Sequence, residues 1–450
     1  MSAEPSGTDD SSPGITTGVT GGGWRATVTP WGGIEPWAEG ETALDWHIAA
    51  DDRWHSPQRE AAVRQQRMEG TAVVETRVRI PDGDAVQRVY SVADHGGLTI
   101  VEVENASPLP IAVAFTHGRL LSPRPPSAPI EGISLPAGSV AFPIGHHSTI
   151  TVALAHDGSG PGALPSGLPT ATGVQRGWSA TVERASRLLL PDPVLTERVV
   201  AERCELALVG PAHPDDDPVG FLITVGQLVR MGDQAEPWLT DVAHTLEAAA
   251  KSAPHDWAFA AAIDAADHVL AAAGDARARR DLAAFRTAMR CTTTLPAEAP
   301  SDSARFVAWL ERRLVTPGAG SAELLPAGLP AGWEGNHFEV YGVPTSGAGS
   351  VSFAVRWHGA RPAVLWEQRG ERAGLTSPVI APEWSTAEMA GDALWPQPEG
   401  VVFAEPDDTA DAHDGHDHDS HDGHGHDHDH AAPPVISPLA DPSADGGSFS

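Results

Sequence analysis

Lysine is almost missing from this sequence: Lys251 is the only one among 29 basic residues. It sits in an Ala-rich helical stretch, which argues against Schiff-base chemistry. Cysteine is nearly as scarce. Cys204 and Cys291 are the only two, they share no metal-type spacing, and a reduced pair is expected rather than a disulfide. No apolar run reaches the roughly 20 residues that span a bilayer. The first 23 residues have neither the basic start nor the apolar centre of a secretory signal, so a soluble, cytoplasmic protein is expected. Motifs for a phosphate-binding glycine loop, a nucleophile elbow and a zinc protease are also missing; Gly21-Gly22-Gly23 leads into a strand, the wrong context for a phosphate cradle. Positive charge is in short supply overall. A net charge of −31 repels phosphate backbones and anionic lipid, so neither nucleic acid nor membrane is expected as a partner.

What is present suffices for a large core. The 450 residues are 41% hydrophobic, enough for two or three domains. Residues 1–23 carry little that could be buried and are expected to be disordered. From Trp24 onward, short β-branched runs follow one another. In Val74-Glu75-Thr76-Arg77-Val78-Arg79-Ile80 the apolar and Thr positions fall two apart with charged residues between them, the period of a half-buried strand. Pro81-Asp82-Gly83-Asp84 then reads as a hairpin turn. Similar runs at 25–29, 85–90, 98–104, 111–115 and 149–154 predict an antiparallel β-sandwich over 24–190.

Near Pro191 the period changes. Asp192-Pro193 and Asp217-Pro218 each read as an N-cap followed by proline in the first turn, and Gly210 and Gly232 as stops. About six helices are expected over 191–315, then a Gly/Pro/Ala-rich linker over 316–331. A small C-terminal β-element is expected over 332–396, followed by an acidic, His-rich, disordered tail over 397–450. The fold class is α+β.

Two segments carry a resemblance. One runs from Gly349 to Glu367 (Gly349-Ser350-Val351-Ser352-Phe353-Ala354-Val355-Arg356-Trp357-His358 and onward). The other runs from Trp46 to Val92, with Ala50-Asp51-Asp52-Arg53-Trp54-His55 and Gln87-Arg88-Val89-Tyr90. Both are similar to segments of uncharacterised actinobacterial proteins whose layout resembles glycoside hydrolases that join an N-terminal β-sandwich to a helical toroid. The resemblance implies a sandwich packed on a shortened toroid, because the helical stretch here is too short for a full one. It carries over no catalytic residue.

The strongest chemical signal is the tail. His413, His416, His418, His421, His424, His426, His428 and His430 recur at spacings of two and three, with Asp at most positions between them. Neutral imidazole binds Zn²⁺, Ni²⁺, Co²⁺ or Cu²⁺, and composition rather than a closed zinc-finger spacing supports such a site. Fourteen Trp against two Tyr is the second signal, since indole faces stack on sugar rings. Trp54 and Trp333, beside polar residues in predicted loops, are the expected exposed ligand-binding pair. A glycosidase needs two carboxylates; Glu334, Glu367 and Asp256, next to aromatics, are the catalytic candidates, and Glu334 is framed by Gly332 and Gly335. Asp51 and Asp52 are further acids beside an aromatic, and His55, His95, His146 and His147 complete the histidines of interest.

The expected function is a non-catalytic, glycosidase-like protein that binds a carbohydrate and carries a divalent-metal-binding tail. A metal-buffering or metal-delivery protein is the alternative, and an active glycosidase the second alternative.

Overall fold

The computed structural model describes residues 14–398. The tail histidines expected to bind metal, His413 to His430, therefore lie outside the described residues. Among the described residues the protein is mixed α+β, with seven α-helices and five sheets.

The N-terminal half begins with the alternation seen in the sequence. Val74–Ile80 pairs with Gly83–Val92, which pairs with Leu98–Asn105, all antiparallel. The connecting turn puts Ile80 opposite Gly83, and Asp82 takes the left-handed backbone (φ 59°) that closes so short a turn. These strands belong to a seven-stranded sheet whose far edge is Val63–Arg67. A four-stranded sheet pairs Ile111–Phe115 with both Val140–Ile144 and Trp46–Ala49. Val78, Val89, Val101 and Val103 of the larger sheet join Ile48, Val113, Phe115 and Phe142 of the smaller one in a single apolar core.

Seven helices follow: α1 (Ala171–Val182), α2 (Pro193–Val209), α3 (Pro218–Met231), α4 (Leu239–Ser252), α5 (Trp257–Ala272), α6 (Ala276–Met289) and α7 (Ser303–Leu314). The cap signals work as the residue types require. Asp192 accepts from the amides of Val194 and Leu195, and Asp217 from that of Gly220. Six of the helices occupy the expected stretch. The seventh, α1, lies inside the span expected to be all β. Thr170 caps it, and Ala171, Gln175, Trp178 and Val182 form its buried stripe. Its signal was in the sequence, diluted by Gly173 and Gly177, which are poor helix formers.

The last strands differ from expectation in partnership more than in position. Phe338–Ser346, Gly349–His358 and Arg361–Gly370 form consecutive antiparallel pairs. The stretch expected to be a linker contributes two strands, Val315–Pro317 and Ser321–Leu324. The second pairs in parallel with Gly374–Ser377, a partner some 50 residues distant that composition alone does not indicate. Phe221, Phe259 and Phe306 of the helices share one core with Phe338 and Phe353 of the strands and with Trp395, just past the last strand. Both cysteines are free, Cys204 buried and Cys291 half-buried.

Candidate functional site: a polar cleft where a sheet edge meets two helices

Val63–Arg67 is an edge strand, so one side of its backbone is left unpaired by the sheet. The chain then makes a tight turn at Met68–Gly70, where the Met68 carbonyl accepts from both the amide (3.0 Å) and the hydroxyl (2.7 Å) of Thr71. Glu69 holds a left-handed backbone (φ 49°) that non-glycine residues seldom adopt. At Gly70 a side chain would collide with the carbonyl of Glu197 in α2. Only glycine lets the turn rest against that helix. The Glu69 carboxylate is fixed from another direction, by the side-chain amide of Gln175 in α1.

These elements line an open cleft of about 680 Å³, within the several-hundred-Å³ range of small-molecule sites. Its polar wall includes Gln66, Arg67, Glu69, Gln175 and Glu197, with Met68 and Val194 as apolar contacts. Val194 is 71% exposed, unusual for valine and in keeping with a lip. At the back, buried Glu75 accepts from Arg77 (2.8 Å), Arg88 (2.9 Å) and Gln66 (3.2 Å). Arg198 turns its guanidinium onto the Phe306 ring, 3.8 Å from the centroid, and donates to the Pro300 carbonyl.

The residues singled out from sequence are not among those lining this cleft. Asp256 is the N-cap of α5 and accepts from the amides of Ala258 (2.9 Å) and Phe259 (3.2 Å). Glu334 accepts from the amide of Gly332 at 2.9 Å, closing its own turn. Glu367 lies on a strand and accepts from Arg369 at 3.2 Å. Trp54 is half-buried, its indole N–H donating to the Glu131 carbonyl at 2.7 Å. The expected exposure of Trp333 is overturned: it is 4% exposed and packs edge-on against Phe338 at 5.1 Å. Its polar neighbours Gly332 and Glu334 serve the turn while the indole fills the core.

His55 lies between two carboxylates, its Nε2 3.0 Å from Asp52 Oδ1 and its Nδ1 3.3 Å from Glu60 Oε1. The hydrogen bond with His55 lowers the Asp52 carboxyl, and the one from Arg53 lowers that of Glu60. Because the acids approach opposite ring nitrogens, the trio does not converge on one ion. Among the described residues no group of three or more His, Cys, Asp or Glu is placed to hold a metal.

Sequence reasoning missed the cleft residues. Gln66, Glu69, Gln175 and Glu197 are ordinary polar residues in four different local settings, and only Gly70, next to a charged residue in a short turn, hinted at a close approach. No family model matches the chain, and no curated protein does either. No helix among the described residues is long and apolar enough to cross a membrane.

Proposed function

We propose that this protein is a non-catalytic, glycosidase-like binding protein. In this reading the two N-terminal sheets act as a β-sandwich, and the cleft where its edge meets α1 and α2 takes a carbohydrate. The cleft itself carries the proposal. Its amides, carboxylates and guanidinium are planar groups that can form paired hydrogen bonds with neighbouring hydroxyls, the chemistry a polyol presents. Hydrogen bonding, with Met68 and Val194 as apolar support, replaces the ring stacking expected from the Trp content. Glu69 and Glu75 both act as hydrogen-bond acceptors from protein donors. A glycosidase requires instead one carboxyl that gives a proton and one that attacks or activates water.

The test is a glycan-panel screen of the full chain, alongside Glu197→Ala and Glu69→Gln, both at exposed positions. Binding to a subset of glycans that falls at least tenfold in both variants, with no release of reducing ends, is the expected result. Equal binding by wild type and variants would move the site elsewhere. Hydrolysis would replace this reading with that of an enzyme.

The tail supports a second reading, metal buffering or delivery. Eight histidines interleaved with Asp would supply nitrogen and oxygen ligands for Zn²⁺ or Ni²⁺, and binding should weaken below about pH 6 as the imidazoles protonate. Calorimetric titration of either metal should show several equivalents on the full chain and none on a chain ending at Pro406. Equal binding by both would overturn the tail assignment.

A further inference from the structure

A second concavity lies between α3, α5, α7 and the strand Phe338–Ser346, away from the cleft. Its space is about 50 Å³, room for about three or four atoms of water size. Small side chains create it: Gly226 on α3, Ala261 and Ala265 on α5 and Ala308 on α7 line the crevice. Gly226 cannot be enlarged cheaply, since a Cβ there would come 2.6 Å from that of Ala265.

The charges around this crevice do not cancel. Glu311 receives Ser186 and Arg203 on Oε1 (2.8 and 2.7 Å), Gln227 on Oε2 (3.1 Å), and Arg230 on both oxygens (2.8 Å each). Its acceptor capacity is filled. Asp264 receives Arg312 and Arg286. Four guanidinium groups therefore face two carboxylates. Glu183, which also feels Arg203, is already paired with Arg187 at 3.5 Å, and Asp267 shares Arg279 (2.8 Å) with the exposed Glu371 (2.7 Å). His268 faces the same space; burial, then the nearby Arg230, lowers its imidazole to about 4, so it stays neutral and leaves the balance of charge to the guanidiniums and carboxylates.

Two buried atoms among the lining residues lack a protein partner. Arg312 is 5% exposed, and its Nη1 has no acceptor; Gln227 is 4% exposed, and its Oε1 has no donor. The Gln227 amide cannot simply be reversed, because its nitrogen donates to Glu311 and a flip would set two acceptors together. Arg312 and Gln227 both line the crevice, so its walls hold one unfilled charged donor and one unfilled acceptor, and Arg203 and Arg286, behind the lining, bring the guanidiniums to four against two carboxylates. We propose that this crevice binds a small monovalent oxyanion of three or four non-hydrogen atoms. Arg312 holds its oxygen, and an O–H of the ion, or of a water bound with it, donates to Gln227. Hydrogencarbonate has this size, charge and donor pattern. Its position among three helices and the C-terminal sheet makes it a clamp on the packing of the second half of the protein.

The test is thermal unfolding of the full chain at pH 8 and constant ionic strength, with a chelator present to silence the tail. Sodium hydrogencarbonate is exchanged for sodium gluconate, whose anion is too large for the crevice. The expected result is a midpoint that rises with hydrogencarbonate concentration and is unmoved by gluconate. Arg312→Gln should weaken the effect at least tenfold in concentration. Because Arg312 also pairs with Asp264, Ala308→Val is the second variant: it leaves both charge pairs in place and fills the space, and it should abolish the response. Identical midpoints in the two salts for wild type would overturn the proposal, as would a full response in Ala308→Val.

Discussion

Glu75 and Glu311 are both buried carboxylates held by two arginines, but they are built in opposite ways. In the N-terminal sheet, Arg88 lies directly opposite Glu75 on the neighbouring strand and Arg77 is two residues along the same strand. Both arginines reach solvent, with side chains 22% and 44% exposed. In the helical half, Glu311 draws Arg203, Arg230, Ser186 and Gln227 from positions 81 to 125 residues away, and the Arg203 side chain is 2% exposed. The first arrangement follows from the geometry of one sheet. The second exists only once three helices have assembled, and it ties its carboxylate to the fold far more tightly. Burial alone would raise the Glu311 carboxyl, but Arg230, Arg203 and Ser186 outweigh it and hold it at about 2.

The largest test of this contrast is Glu→Gln at each position. Glu311→Gln leaves two guanidiniums uncompensated in the interior and should cost about 3–5 kcal/mol of unfolding free energy. Glu75→Gln should cost only about 1 kcal/mol, because its arginines can turn to water. Denaturant titration measures both, and equal losses would erase the distinction.

Acid should sharpen the comparison at the next level. His156 in the first half stacks on Trp24 at 4.2 Å, and burial followed by the charge of Arg25 lowers it to about 4. His268 in the second half is lowered to a similar value. A histidine depressed in the fold binds its proton more readily when unfolded. Each therefore leaves stability intact above pH 6.5 and removes it as pH falls from 6.5 to about 4, by roughly 2 kcal/mol each after allowance for partial exposure. Glu311, depressed from 4.5 to about 2, stabilises above pH 4.5 and loses that contribution between 4.5 and 2, so the second half should show a further acid step from this buried carboxylate. Unfolding at pH 7, 5 and 3 should give a loss between 7 and 5 that His156→Gln reduces, and a loss between 5 and 3 that Glu311→Gln reduces.

The smallest expected effect concerns Asp256. As a helix cap, it should lose about 1 kcal/mol on replacement by Ala and almost nothing on replacement by Asn, which caps equally well. Should any sugar-cleaving activity be found, survival of that activity in Asp256→Asn would confirm that this acid caps a helix rather than acting in catalysis.

Much of the architecture could be read from local pattern. The alternation in Val74–Ile80 put Val74, Thr76, Val78 and Ile80 on a buried face, with Glu75 of the opposite face buried as well, and Asp192-Pro193 and Asp217-Pro218 began helices because an acid side chain and a ring-fixed φ suit a first turn. Trp333 defeated the same kind of reasoning, since polar neighbours describe the backbone of a turn and say nothing of where its indole packs. The 316–331 stretch was read as a linker because Gly and Pro dominate it, whereas Ser321–Leu324 became a strand through a parallel partner that begins at Gly374. The cleft was hidden for a similar reason: its polar residues come from an edge strand, a turn and two helices separated by more than 100 residues.

By itself, then, the sequence determined most strand faces, most helix starts and stops, the excess of negative charge and the His/Asp repeat of its tail. Each of these depends on residue types within a few positions of one another, where periodicity and capping act. Only the tertiary structure decided that Glu311 would gather two arginines, that Gly70 would rest on the Glu197 carbonyl, and that Arg312 and Gln227 would line one crevice. Those contacts join distant segments, and burial in a shared low-dielectric interior is what gives them their strength.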